Sequence, residues 1–186
     1  MKNILALVGL ETIMESNHRI KFFANTFLNN VTTWQKDHPD DQTKILDARK
    51  YKDHPNPIGS MRTDSINAFP VIDILYISCH SDPEGLYLFS HYRKGDIPDS
   101  YRYIDTDFDW SQFKFNPEAM IYLAGCRTVG DNGVIFKDTI AQDIANKTDT
   151  PVNGFNWKSS QHERQDGGFE QKPDHGTWVR LFPKVI

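Results

Sequence analysis

The sequence predicts an α/β fold in which a mostly parallel central sheet carries helices on both faces. Short apolar segments typical of buried strands alternate with segments of helical periodicity, and this alternation is typical of parallel sheets. Two apolar segments, 74–80 and 120–126, share one pattern that runs from apolar residues through a small residue to a side chain capable of chemistry. No linker-like segment divides the 186 residues, so we expect a single domain spanning residues 1–186.

The composition indicates a globular protein that binds neither nucleic acid nor membrane. Apolar residues make up 38% and charged residues 25% of the chain. The net charge of −4 argues against a general nucleic-acid-binding protein, which would carry a basic excess. The first apolar run ends at Leu10, too short for a membrane span, and it lacks a signal-peptide cleavage site. We expect a cytoplasmic protein, or one delivered by a secretion route that is independent of a signal peptide.

In the first half of the chain, apolar spacing and turn residues predict two strands and two helices. The longer helix is indicated by apolar residues at helical spacing, and the loop by its prolines and glycine. The predicted elements are a strand over 4–10, a helix from Ile20 to Trp34, a strand over 44–48, a loop over 51–61 and a short helix over 63–69.

The second half is predicted to contain the two matched strands and the elements that follow them. The apolar stripe of Phe136, Ile140 and Ile144 indicates a helix. The predicted elements are strands over 71–80, 119–126, 151–155 and 178–182, a hairpin partner over 85–89, an irregular segment over 93–115 and a helix over 133–147.

His80 and Cys126 each stand at the carboxyl end of one matched strand. If the two strands are parallel neighbours, both side chains emerge at the edge where open α/β sheets place their functional sites. In the shared pattern Cys79 corresponds to Gly125, so strand alternation sends Cys79 to the opposite face. We therefore expect two free thiols, of which only Cys126 adjoins His80, and a reducing compartment.

A thiol beside an imidazole is the minimal equipment for nucleophilic acyl transfer. Cysteine attacks as the thiolate, and a neighbouring imidazole accepts its proton and later protonates the leaving group. Backbone amides in the turns after both residues are available to hold an oxyanion, and a helix beginning near Gly133 would add its positive end. The alternative is structural, because such a cysteine, taken alone, is usually a small buried hydrophobe and such a histidine a hydrogen-bonded structural residue.

The order of these motifs resembles that of the caspase-like (clan CD) cysteine peptidases. A strand that ends in histidine is followed by a glycine-containing turn and, further along, by a strand, a small residue, a cysteine, a turn and a helix. The segment from Ile121 to Thr128, followed by Gly130, is especially similar to the bacterial CHAT-type proteases. The resemblance covers residues 4–155 and implies a caspase-like three-layer sandwich.

The resemblance implies a cysteine endopeptidase that cleaves protein or peptide substrates through an acyl-enzyme. By carry-over, Cys126 is the nucleophile, His80 is the histidine of the dyad, and the backbone amides of Ser81 and Cys126 form the oxyanion hole. The family generally has glycine directly after the histidine and often alanine or serine before the cysteine, where this chain has Ser81 and Gly125. The chemistry requires no cofactor and no metal, and the sequence lacks the paired Cys or His spacing typical of zinc sites.

Charged and polar residues near the two motifs are candidates for substrate binding. Arg127 and Arg93 would suit an acidic substrate side chain, whereas Asp82 and Asp131 would suit a basic one. Asn153, which follows the predicted helix, is a candidate for shaping a substrate cleft. The alternative for the four charged residues is that they are ordinary solvated loop charges.

Two further interpretations of the same sequence stay open. A catalytically inactive caspase-like binding or adaptor module would keep the fold without an activated thiol, and Ser81 in place of glycine favours it. An unrelated flavodoxin-like domain would instead bind a small molecule at the same sheet edge. For the peptidase, the expected partners are a protein or peptide substrate and, where activity is controlled, a regulatory protein.

Overall fold

The structure, a computed structural model, describes residues 1–9, 21–51, 53–89, 109–157 and 176–184; for residues 21–27 it describes the backbone only. Its strands are β1 (Asn3–Val8), β2 (Gln42–Asp47), β3 (Ile72–Ser78), β4 (His80–Asp82), β5 (Gly85–Tyr87), β6 (Phe115–Leu123), β7 (Gly130–Asp131), β8 (Val134–Ile135), β9 (Val152–Phe155) and β10 (Trp178–Leu181). Its α-helices are α1 (Lys21–Asp37), α2 (Pro57–Ile66) and α3 (Ile140–Thr148).

Six strands form the central sheet in the order β10-β9-β6-β3-β1-β2. Neighbouring strands run parallel except for the β9–β10 pair at one edge, which is antiparallel. The predicted α/β class with a mostly parallel sheet is therefore confirmed. The strand predictions over 4–10, 44–48, 71–80, 151–155 and 178–182 correspond to β1, β2, β3, β9 and β10, although residue 10 lies outside the described residues.

Helices pack on both faces of this sheet, as the sequence predicts. On one face Leu7 of β1 and Ile77 of β3 share a buried cluster with Met61 of α2 and Ile144 of α3. On the other face the alternate residues of the same strands pack with Val31 of α1. Strands buried on both sides explain why these segments are almost continuously apolar in the sequence.

The helix predicted from Ile20 to Trp34 corresponds to α1. Val31 is fully buried and Trp34 packs against the same cluster, which confirms this end of the predicted stripe. Ile20, Phe23 and Phe27 lie outside the described side chains. The indole Nε1 of Trp34, in the last turn of α1, donates to Asp41 beyond the helix at 3.2 Å. This bond holds the chain where it turns into β2.

The segment predicted as a loop over 51–61 contains the start of α2. Asn56 caps this helix by accepting a hydrogen bond from the Gly59 N–H at 3.0 Å, and Pro57 occupies the first turn, where its missing N–H costs nothing. The loop prediction is wrong for residues 57–61, because proline here starts a helix. The short helix predicted over 63–69 is the end of α2, which stops at Ile66.

The helix predicted to begin near Gly133 begins later in the chain. A hairpin of β7 and β8 comes first, and Gly133 adopts a positive φ of 81° in its turn. Phe136, predicted on the buried helix face, is 42% exposed. α3 begins only after Thr139, whose Oγ1 accepts the N–H of Gln142 at 3.3 Å. The predicted start of this helix near Gly133 is therefore wrong; the N–H of Ile140, in the first turn of α3, donates to the Pro83 carbonyl at 2.8 Å.

The segment before β6, predicted to be irregular, contributes to the core. Trp110 lies in a short 3₁₀ turn and is fully buried, with its ring 5.6 Å from that of Phe113. The strand predicted over 119–126 begins earlier, at Phe115, and ends at Leu123. Residues 93–108 lie outside the described part of the chain.

The boundary between hairpin and helix can be tested with two isoleucines. Ile144 on α3 is fully buried, whereas Ile135 in the hairpin is 52% exposed. We expect Ile144→Ala to lower the free energy of unfolding by about 2–5 kcal/mol, because it leaves a cavity in the core. The matched variant Ile135→Ala should change it by less than about 0.5 kcal/mol. Urea denaturation followed by circular dichroism measures both, and equal losses would contradict the hairpin.

Candidate active site

The two matched segments lie on neighbouring parallel strands, as predicted. Tyr76 of β3 pairs with Tyr122 of β6 and Ile77 with Leu123, and the Ala124 N–H donates to the Ile77 carbonyl at 2.8 Å. Continuing this offset past the strand ends brings the segment of His80 beside that of Cys126 at the carboxyl edge of the sheet. The side chain of His80 is exposed and that of Cys126 half-buried, so both have access to solvent.

Both cysteines are free thiols, as predicted; Cys79 is buried and Cys126 is half-buried. The side chain of Cys79 is 6% exposed and belongs to the same buried cluster as Leu7 and Ile77. Burial raises the pKa of the Cys79 thiol to about 12, and a hydrogen bond with the backbone of Tyr87 opposes this only in part. Cys79 is therefore a protonated core residue at neutral pH.

The surroundings of His80 favour its neutral imidazole form. Surrounding protein atoms disfavour its charged form and lower the pKa of the imidazole below its usual value, even though part of the ring stays in contact with solvent. A neutral imidazole can accept the proton of a thiol, which an imidazolium cannot. This protonation state suits a general base better than a pre-formed ion pair.

The peptide that joins Cys126 to Arg127 is held at both ends. Its carbonyl oxygen, which belongs to Cys126, accepts a hydrogen bond from the Ser81 hydroxyl at 2.7 Å. Its N–H, which belongs to Arg127, donates to the Trp157 carbonyl at 2.8 Å. Arg127 has a positive φ of 57°, so the chain turns sharply directly after the cysteine. The conformation of this turn is fixed from the His80 side and from the β9 side.

Thr128 anchors the same turn to β9. Its side chain is fully buried, and its Oγ1 accepts the N–H of Phe155 at 3.0 Å. The N–H of Val129 donates to the carbonyl of Phe155 at 3.0 Å. Gly154 permits this contact, because a Cβ there would lie 2.3 Å from Thr128 Oγ1. The role of Thr128 was missed in the sequence, where nothing local links it to β9.

Asp82, a candidate for substrate binding, is occupied within its own hairpin. One carboxylate oxygen accepts the N–H groups of Glu84 at 2.8 Å and Gly85 at 3.0 Å, and the other accepts the hydroxyl of Tyr87. These bonds shape the β4–β5 turn that follows His80. Asp82 is thus placed to hold the turn in shape.

Arg127 and Asp131 pair with each other close to the thiol. Arg127 Nη1 lies 3.6 Å from Asp131 Oδ2, and both side chains are about one-third exposed. Asn153, in contrast, lies within β9 beside Tyr122, where its Oδ1 accepts a hydrogen bond from Arg180 Nε at 3.0 Å. Arg127 and Asp131 are therefore engaged with each other in the segment directly after Cys126, whereas Asn153 lies inside the sheet. Arg93 lies outside the described residues.

The described residues contain neither a metal-binding cluster nor a membrane-spanning helix. No group of three or more His, Cys, Asp or Glu side chains there is arranged to hold a metal ion. No helix in the described ranges is long and apolar enough to cross a membrane.

No protein-family model matches this chain, and no curated protein is significantly similar to it.

The burial of Cys79 predicts a pH-dependent stability difference. Its pKa is raised from 9.0 to about 12 in the folded protein, so the unfolded chain loses this proton first as the pH rises. Relative to Cys79→Ala, the wild-type free energy of unfolding should be constant below pH 9.0 and fall between 9.0 and about 12. The expected slope is about 1.4 kcal/mol per pH unit.

Denaturant titrations of both proteins at several pH values measure this difference. Cys126 is present in both, so its titration cancels. Parallel stability profiles across the whole range would contradict the burial of the Cys79 thiol.

Proposed function

We propose that this protein is a caspase-like cysteine endopeptidase that acts through His80 and Cys126. The observation that carries the proposal is the parallel register of β3 and β6, which brings the two segments together at the carboxyl edge. Functional sites of open α/β sheets lie at this edge. The second thiol, Cys79, is buried in the core, so Cys126 is the one available for chemistry.

The proposed reaction follows from the two side chains. His80 Nδ1 or Nε2 accepts the proton of the Cys126 thiol as the sulfur attacks the carbonyl carbon of a peptide bond. When the C–N bond of the resulting tetrahedral adduct breaks, the imidazolium returns that proton to the departing amine. Water, deprotonated by His80, then attacks the thioester; the S–C bond breaks, and the acid and the free thiol are released.

The oxyanion of the tetrahedral adduct needs backbone N–H donors close to the sulfur. The N–H of Arg127 is engaged with the carbonyl of Trp157, so it is not the donor. We assign the role to the amides of Cys126 and Ser81, which flank the two reacting groups in the sequence.

The Arg127–Asp131 pair is the best-placed group for recognising a substrate side chain. The pair lies directly after the nucleophile in the sequence. To bind a charged group of the substrate, Arg127 or Asp131 would have to give up its ion pair with the other. The proposed substrates are proteins or peptides.

One observation favours a second candidate, an inactive caspase-like binding module. A Cβ at position 125 would lie 1.9 Å from Ser81 Oγ. The side chain of Ser81, which stands where the family generally has glycine, therefore occupies the space beside Gly125. Such a module would have the same fold and an ordinary, unactivated Cys126 thiol.

Acylation by p-nitrophenyl acetate tests for the enzyme without knowledge of its substrate. We expect wild type to release nitrophenolate in a burst of one equivalent per chain, with an acetyl group found on Cys126 by mass spectrometry. His80→Ala should slow the burst by about 10²- to 10⁴-fold, because the general base is lost.

Two variants with the same substitution provide the control. Cys126→Ala should abolish the burst, whereas Cys79→Ala should leave it intact. A wild-type protein that acetylates no faster than His80→Ala would contradict the proposed function and favour the binding module. If the burst depends on His80 and Cys126, a peptide library offered to wild type and to the same variants identifies the cleaved sequence.

A further inference from the structure

Ser81, in β4, forms a hydrogen bond that joins this strand to the turn after β6. Its hydroxyl donates to the carbonyl of Cys126 at 2.7 Å, and its side chain is 7% exposed. Gly125 makes this approach possible, because a Cβ there would lie 1.9 Å from Ser81 Oγ. A carbonyl of the nucleophile's own peptide is thus bound by the residue that directly follows His80.

The hydrogen bond from Ser81 restrains the Cys126–Arg127 peptide unit, which a second hydrogen bond also restrains. The opposite side of the same peptide unit is fixed by the hydrogen bond from the Arg127 N–H to the carbonyl of Trp157 at 2.8 Å. Rotation of the peptide plane would break both bonds. Because the Cα of Cys126 belongs to this plane, the bond from Ser81 restricts the direction in which the Cys126 side chain leaves the backbone.

We propose that Ser81 is a positioning residue that holds the Cys126 thiol in reach of His80, an inference that rests on the proposed function. His80 and Ser81 are covalent neighbours, so the hydrogen bond from the Ser81 side chain links the chain at His80 to the backbone of Cys126. The imidazole and the thiol therefore move together, which keeps the proton-transfer geometry when the turns fluctuate. A misplacement of about 1 Å in such a pair can cost about 10²-fold in rate.

The test is a double-mutant cycle on the rate of Cys126 acylation by p-nitrophenyl acetate, with Ser81→Ala and His80→Ala made singly and together. Ser81→Ala removes only the hydroxyl and should slow acylation by about 10- to 100-fold. In the His80→Ala background the same change should have almost no effect, because Ser81 acts through His80. The pH profile of Ser81→Ala should also shift toward that of His80→Ala.

Two further variants separate positioning from general stability. Ser65 in α2 is a fully buried serine whose hydroxyl donates to the Met61 carbonyl at 2.6 Å, so Ser65→Ala removes a buried side-chain-to-backbone bond within a helix, outside the two motifs. It should leave the acylation rate and its pH profile unchanged. Ser81→Thr retains the hydroxyl and should recover a large part of the rate lost in Ser81→Ala.

Each remaining outcome contradicts a specific statement. Unchanged acylation in Ser81→Ala, or equal losses in both His80 backgrounds, would overturn the positioning role while leaving the dyad intact. Identical rates in wild type and His80→Ala would overturn the proposed function itself, and the role of Ser81 with it.

Discussion

The parallel pairing of β3 with β6 is the constraint on which the rest of the candidate site depends. Because side chains alternate along a strand, a shift of one residue would turn the side chains of β6 to the opposite face and displace the segment of Cys126 relative to that of His80. Burial on both faces holds the register: Ile77 and Leu123 pack in one cluster, while Tyr76 and Tyr122 lie on the other face with ring centroids 6.2 Å apart. A shift would expose apolar residues on both sides at once.

Beyond the ends of these strands, hydrogen bonds replace apolar packing as the determinant of geometry. The turn at Cys126 is tied to the β4 segment through Ser81 and to the β9 segment through Thr128 and Trp157. Each such bond contributes only about 0.5–1.5 kcal/mol net, so these bonds orient the turn and the buried sheet supplies most of the folding free energy. The buried sheet thus supports a turn whose cysteine, Cys126, is only half-buried.

The sequence predicts local patterns better than it predicts contacts between residues that are distant in the chain. The alternation of side chains along β3 is a property of the backbone, and it correctly predicts that Cys79 is not exposed beside His80 but packs in the core. The helix expected from Gly133 was misplaced although Asn132-Gly133 is a hairpin signal, because the apolar residues after it also fit a helical stripe. The contacts of Ser81 with Cys126 and of Thr128 with Phe155 join residues distant in the chain, and no local pattern in one sequence reports them.

The measurement that tests the central claim most directly is the rate at which iodoacetamide modifies Cys126, followed by mass spectrometry over roughly pH 5 to 9, where thiols and imidazoles titrate. Wild type and His80→Ala are compared, and the buried Cys79 thiol serves as the internal reference in each. A coupled pair predicts rapid labelling of Cys126 in wild type near neutral pH and a collapse of that rate in His80→Ala. Labelling of Cys126 that is slow and indifferent to His80 would contradict it.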